Sequence, residues 1–354
     1  MHTSSSEKQI KSLIAGMLIV GFDDESVTPQ SKIYRQLKEH PLGGVILFDR
    51  FYHKRDRVKN IRNPQQLKRL TTQLQQIASR PLIIAVDQEG GRVARLNPEY
   101  GFLETPSAAS IGAGSDVMHA KASYDDLAGM LNEHGINCDF APVVDLRINE
   151  ANKVIVKLER SYGKDPEHVA RFAGTFRDAL KRQGIISVLK HFPGHGSSQD
   201  DSHEGFVDVS ESWSETELQA YKIMIDNRQA DMIMTAHVFN RRLDPQYPAT
   251  LSYAVNTGLL RKKLGFEGVV VSDDLQMKAI SEHYPLEETV TLAINTGVDM
   301  LLFGNQLAYQ DLDELIEVIY KQVQSDAIKL STIEAANTRI DALRQHYFHN
   351  GKKA

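Results

Sequence analysis

Two short stretches hold most of the closely spaced reactive side chains in this 354-residue sequence. Lys190 to Gly205, KHFPGHGSSQDDSHEG, packs a lysine, three histidines, two adjacent aspartates and a glutamate among glycines, directly after the apolar run Ile185 to Leu189. Gly268 to Leu275, GVVVSDDL, ends a stiff β-branched run on two neighbouring carboxylates, Asp273 and Asp274. A carboxylate fixed at the end of a buried strand can act as a nucleophile, a general base or a metal ligand. Side chains alternate faces along a strand, so one of the pair reacts and the other braces it; spacing does not choose between them. Asp201 and His203 stand one residue apart. That spacing lets the carboxylate hold one imidazole nitrogen and leave the other free, the arrangement of an acid/base histidine. A metal site built from His191, His195, His203 and the aspartates is the competing reading, although no HExxH-type motif is present. We expect neither metal nor cofactor. The glycines, Pro193 and Ser197-Ser198 predict a hinge on which the Asp201–His203 arm swings.

The elements that must position these groups follow from periodicity. Eight short apolar runs recur along the chain: Leu13 to Val20, Gly44 to Phe48, Leu82 to Val86, Asn137 to Val144, Ile185 to Leu189, Met232 to Ala236, Gly268 to Val271 and Met300 to Phe303. Such runs suit the strands of a parallel sheet covered on its outer face. Helical patterns lie between them. Asp165-Pro166 opens one that Gly184 closes; Ser252 caps another; a third follows Pro285 and a fourth spans Asp311 to Val323. A Ser331–Glu334 capping box opens a last helix over 330–348. Alternation of this kind predicts an α/β fold, a single (β/α)₈ TIM-type barrel forming one domain over 1–354, with 1–9 as a flexible tail. A doubly wound open sheet is the alternative, but GFDDES after the first run is no glycine-rich phosphate turn. Leu96 to Gly114 reads as a rim loop without a helix, and the basic stretch Phe51 to Asn63 as a solvated loop.

In such a barrel, chemistry sits at the C-terminal ends of the strands. The runs end in Asp87 to Arg92, Asp145, Lys190-His191, His237, Asp273-Asp274 and Gly304-Asn305. Asp87, Arg95, Arg160, Lys190 and His191 would supply the donors and acceptors that sugar hydroxyls require, with His195 and His237 behind them. A net charge of -5 gives no reason to expect nucleic acid. A single cysteine, Cys138, excludes an intrachain disulfide. Leu13 to Gly21 is too short to span a bilayer. The expectation is a cytoplasmic monomer without a membrane span; a periplasmic or lipoprotein-anchored form would require a removed targeting segment.

Six segments then carry a resemblance: VDQEGGRVARL (Val86 to Leu96), ERSYGKDP (Glu159 to Pro166), KHFPGHG (Lys190 to Gly196), DSH (Asp201 to His203), MTAHV (Met234 to Val238) and LLRKKLGFEGVVVSDDL (Leu259 to Leu275). Together they resemble glycoside hydrolase family 3, and its NagZ-type β-N-acetylglucosaminidase branch in particular. The resemblance implies a retaining exo-acting enzyme that releases N-acetylglucosamine from peptidoglycan-derived muropeptides. It implies Asp273 as nucleophile, His203 as acid/base supported by Asp201, and Asp87, Arg95, Arg160, Lys190 and His191 as sugar contacts. The branch replaces the second carboxylate of the usual retaining pair with histidine. A neutral base repels an incoming anion less, so phosphorolysis is a side possibility, beside a β-glucosidase or β-xylosidase and, from another class, a non-catalytic sugar-binding barrel. The second α/β sandwich domain of some members is expected to be absent. Tyr162 stands where Phe is commoner, and KVIVKLERSYG replaces a glycine-containing approach to Arg160.

Overall fold

The computed structural model describes residues 2–114 and 116–348. Eight parallel strands form one sheet: β1 (Leu18–Gly21), β2 (Gly44–Ile46), β3 (Ile83–Val86), β4 (Cys138–Asp139), β5 (Ile186–Phe192), β6 (Met232–Thr235), β7 (Val269–Ser272) and β8 (Leu301–Phe303). They lie in chain order around the sheet, and β8 pairs with β1 in register Leu18 to Leu301. The barrel closes between β7 and β8 through a parallel bridge from Val271 to Met300 and the Ser272 N–H donating to the Met300 carbonyl at 2.9 Å. This is the (β/α)₈ barrel expected from the alternating pattern.

Helices α1 (His2–Gly16), α2 (Lys32–Glu39), α3 (Pro64–Ile77), α4 (Ala108–Ala113), α5 (Val117–Glu133), α6 (Pro166–Arg182), α7 (Gln219–Asp226), α8 (Ala254–Lys263), α9 (Leu286–Asn295), α10 (Leu312–Gln324) and α11 (Leu330–Phe348) accompany the strands. Side-chain caps start several of them. Asp165 accepts from the His168 N–H with Pro166 at the first helical position, and Gly184 follows the end of that helix at φ 71°. Ser252 Oγ accepts from the Val255 N–H at the head of α8, as its capping role requires. The strands are buried along their whole length and merge with the inner helix faces into one apolar core, with Ile46, Met234 and Leu302 reaching the central cavity. At the opposite, N-terminal end of β8, the fully buried Asp299 accepts from Arg261 and Arg339 at 2.7 and 2.8 Å and from the Val270 N–H. It thereby ties α8, α11 and β7 together.

Several expectations need correction. The first apolar run divides: Leu13 to Gly16 belongs to α1, which also takes up residues 2–9 of the stretch read as a tail, residue 1 lying outside the described residues, and the strand begins only at Leu18. Ile14 and Ala15 are fully buried, so they are apolar because α1 packs on α10 and α11, not because they form a strand. The 96–114 segment contains a turn of helix at Pro98–Tyr100 and α4, capped by Ser107. The last helix spans Leu330–Phe348 as expected, but Ser331 lies inside its first turn and is not its N-cap. The fourth run is a regular strand only at Cys138–Asp139; past Pro142, which has no N–H to donate, it continues as a parallel bridge from Val143 to Lys190.

Candidate active site

A cavity of about 770 Å³ opens at the C-terminal end of the barrel. All eight residues singled out from sequence line it: Asp87, Arg95, Arg160, Lys190, His191, Asp201, His203 and Asp273. Its floor is a buried charge network. Lys190, 3% exposed and near the end of β5, places Nζ 2.9 Å from Asp87 and 2.7 Å from Glu89. Arg160 clamps Glu89 with two 2.8 Å bonds, donates to the Val154 carbonyl and approaches His191 Nε2 at 3.3 Å. Glu159, just before it, sits in the left-handed region at φ 60°, a conformation non-glycine residues rarely adopt and one that belongs to the turn aiming Arg160 inward. Arg95 lies 3.4 Å from Asp87 with its guanidinium over the Phe48 ring. His191 places Nδ1 2.7 Å from Asp145, a fully buried carboxylate that also accepts the His195 N–H.

The network is charge-balanced, with Asp87, Glu89 and Asp145 facing Lys190, Arg160 and Arg95. Burial works to raise the Asp87 and Glu89 carboxyls, but the neighbouring cations outweigh it and hold both below the ordinary range. Burial equally works to lower Lys190, and the charges of Asp87 and Glu89 keep it raised. Nearly all of Arg160's N–H groups are spent on protein partners, so its main work is to hold Glu89 and His191 in place. Lys190, Arg95 and the lone pairs of Asp87 are left to meet a ligand.

The adjacent aspartates at the end of β7 diverge. Burial works to raise the Asp273 carboxyl, and the surrounding histidines His237, His191 and His203 more than offset it, so Asp273 stays below its usual range. Asp274 is pushed up by burial to about 6. It also lines the cavity, but its carboxylate is engaged by the backbone, accepting from the Gln276 N–H at 3.0 Å, while its own N–H donates to Asp273 Oδ1 at 2.8 Å. Of the two, Asp273 is the carboxylate held below its usual range, and the Asp274 backbone helps to fix it. His237 is buried behind them, its Nε2–H donating to the Asp274 carbonyl and its Nδ1 against Thr250 Oγ1.

Opposite Asp273 stands the Asp201–His203 pair. Asp201 Oδ1 accepts both the His203 N–H and its Nδ1–H, each at 2.8 Å, leaving Nε2 free. The imidazole is 41% exposed, so it reaches into the cavity from a surface arm. Burial tends to lower His203, but its bond and charge interaction with Asp201 win and raise it.

The base of that arm is not the expected hinge. Gly194 and Gly196 are glycines because a Cβ would sit 2.6 Å from the Glu217 Cβ and 1.9 Å from the Leu146 carbonyl oxygen. The Gly196 N–H donates to Glu217 Oε2, Trp213 donates to the Pro193 carbonyl, and Asn152 and Asn149 hold the carbonyls of His195 and Ser198. Downstream, Val207 pairs with Val238 and Phe206 packs against Phe239. Only Gln199 and Asp200, both exposed, lie between the upstream pinned end and the dyad, and Glu204 and Gly205 between the dyad and the downstream one. The three histidines of the metal reading also part company: Nδ1 of His191 faces Asp145, that of His195 Ser198, and that of His203 Asp201. Among the described residues, the group spaced to hold an ion is Glu39, His40 and Asp313, away from the cavity.

Glu89, Asp145 and Glu217 are the site residues for which sequence reasoning assigned no role. The first two end strand runs and could have been paired with Lys190 and His191 by counting charges. Glu217 lies in a polar segment before α7 and carries no local signal.

The chain matches the glycosyl hydrolase family 3 N terminal domain over residues 8–343. The chain belongs to glycoside hydrolase family 3. Among curated relatives, a beta-hexosaminidase of Tolumonas auensis is 39% identical over 282 residues, covering 77% of this chain and 79% of that one. A beta-hexosaminidase of Vibrio cholerae is 34% identical, covering 88% and 91%. A family 3 beta-N-acetylglucosaminidase from Paenibacillus sp. superposes with TM-score 0.86 at 32% identity, over 97% of this chain and 64% of that one. A beta-N-acetylhexosaminidase from Beutenbergia cavernae gives 0.83 at 27% identity, over 94% and 97%. As a family 3 member the protein is a glycoside hydrolase. Among the described residues no helix is long and apolar enough to cross a membrane.

Proposed function

We propose that the protein is a retaining exo-β-N-acetylglucosaminidase that removes terminal N-acetylglucosamine from peptidoglycan-derived muropeptides. The observation that carries this reading is the meeting, in one cavity, of an ionised Asp273 on a rigid strand end and a histidine already paired with a carboxylate on an arm. In the first step an Asp273 oxygen bonds to the anomeric carbon as the glycosidic C–O bond breaks. The Nε2 proton of His203 passes to the departing oxygen, and Asp201 stabilises the imidazolium until it does. In the second step water bonds to the anomeric carbon, neutral His203 takes its proton, and the Asp273 carboxylate leaves. Lys190, Arg95 and Asp87 would bind the hydroxyls, while His191 is fixed by Asp145 and Arg160. The relatives' hexosaminidase names support the choice of sugar.

Proton NMR of the first-formed product tests the stereochemistry. The β-anomer of N-acetylglucosamine should accumulate before mutarotation; initial α-anomer would mean single displacement and remove Asp273 from the nucleophile's role.

A further inference from the structure

The cavity extends beyond the charged floor. Its lining also includes Tyr52, Arg55 and Arg92, with Gln306 beside Tyr52. This is where the basic stretch Phe51 to Asn63 lies, and the structure sorts its charges. Lys59 is fully buried, bonded to the Asn305 carbonyl and paired with Asp23. Arg62 pairs with Glu25, and Arg57 lies over the Phe51 ring. The neighbouring Arg50 is engaged by Tyr100, Glu99 and Asp49.

Lys54 is exposed and is not among the residues lining the cavity, which leaves Arg55 and, from outside the stretch, Arg92. Both are exposed, both line the cavity, and neither guanidinium makes an ion pair or hydrogen bond with a described residue. Two unpartnered guanidinium groups at one cavity mouth stand out in a chain of net charge -5. Beside them Tyr52 is 40% exposed, its ring braced edge-on by His53 at 5.0 Å and its backbone N–H held by Gln306. An exposed aromatic ring offers a surface to the C–H face of a sugar, and a guanidinium fork matches a carboxylate. When the cleaved sugar fills the floor, the departing group must occupy this outer region.

We propose that Arg55 and Arg92, with Tyr52 as platform, form an aglycone subsite that selects substrates whose leaving group carries a carboxylate, the lactyl carboxylate of a peptide-free muramic acid or, where a peptide amidates it, a carboxylate of that peptide. The inference rests on the N-acetylglucosaminidase reading and assigns the residues that read the other half of the substrate.

The experiment compares kcat/KM for two disaccharides, N-acetylglucosaminyl-β-1,4-N-acetylmuramic acid and N,N′-diacetylchitobiose. Their leaving sugars differ by the 3-O-lactyl carboxylate alone. The wild type should favour the acidic disaccharide, and in the R55A/R92A double variant that preference should fall about fivefold, in line with two solvent-exposed charge contacts. Raising salt from about 50 to about 500 mM should erode the wild-type preference by screening while leaving the double variant's ratio in place. R55K/R92K, which keeps the charge but loses the fork, should fall between. A wild-type ratio near one, or a ratio unchanged in R55A/R92A, overturns the subsite while leaving the glucosaminidase reading intact. Failure to cleave either disaccharide or an aryl N-acetylglucosaminide overturns both.

Discussion

Replacing Asp201 with asparagine separates the charge of the proposed dyad from its geometry. A single oxygen, Oδ1, accepts both the backbone N–H and the Nδ1–H of His203, each at 2.8 Å. An asparagine that presents its carbonyl oxygen there keeps both bonds, so only the negative charge is lost. A charge-assisted hydrogen bond is roughly twice as strong as a neutral one, a difference of about 1–1.5 kcal/mol. D201N should therefore slow cleavage of a disaccharide about tenfold at neutral pH. D201A, which also frees the imidazole to rotate, should cost about a hundredfold, within the span of general acid catalysis. The pH dependence carries a sign. Glycosylation needs His203 protonated, so kcat/KM falls as pH rises through the histidine's pKa. Asp201 is the principal group raising that pKa against burial, so D201N must move the alkaline limb to lower pH. The assay is kcat/KM across pH for a disaccharide and for a dinitrophenyl glycoside, whose leaving group needs no proton. Equal losses on both substrates, or an alkaline limb that does not move, would refute the assignment of His203 as acid.

Three further outcomes follow from groups around the site. Glu217 is 1% exposed and pushed up by burial to about 7, so its contribution to stability is full below the ordinary carboxylate range and disappears as pH rises through neutrality. The swing is of order 3 kcal/mol; thermal melting of E217Q should lose less between about pH 5.5 and about pH 8 than the wild type does, and parallel curves would contradict this. E89Q leaves Arg160 and Lys190 undercompensated in a buried network and should cost about 3–5 kcal/mol in denaturant unfolding; unchanged stability would show that water reaches them. G196A forces a methyl toward the Leu146 carbonyl and must displace the arm that carries His203; kcat should fall by up to about a hundredfold if the shift approaches 1 Å, and full activity would mean that the arm is not held as described.

Most of the barrel was readable because fully buried parallel strands leave an unbroken apolar signature, and seven of the eight runs begin within one residue of their strand. The exception in detail, Leu13 to Val20, shows the limit of that signature: a helix buried against other helices is as apolar as a strand, and Gly16 marks the boundary only in hindsight. The eight candidate residues could be gathered at one rim because strand ends are countable. Their division of labour could not. Asp273 and Asp274 are chemically identical in sequence, and only the histidines around Asp273, against burial that dominates at Asp274, separate a carboxylate held below its usual range from one pushed up to about 6. The hinge expectation failed for a related reason. Glycine signals either freedom or close approach, and at Gly194 and Gly196 the contacts with Glu217 and Leu146 show close approach. Those partners are distant in sequence, so no local pattern could reveal them.

The central claim is that Asp273 becomes bonded to the sugar. Incubation with a 5-fluoro-N-acetylglucosaminyl fluoride, followed by peptide mass spectrometry, tests it directly. The account predicts one added fluorosugar, on the peptide containing Asp273 and localised to that residue, with no labelling of D273N. Labelling on Asp274 or His203, or rapid turnover of the reagent with no adduct at any residue, would contradict it.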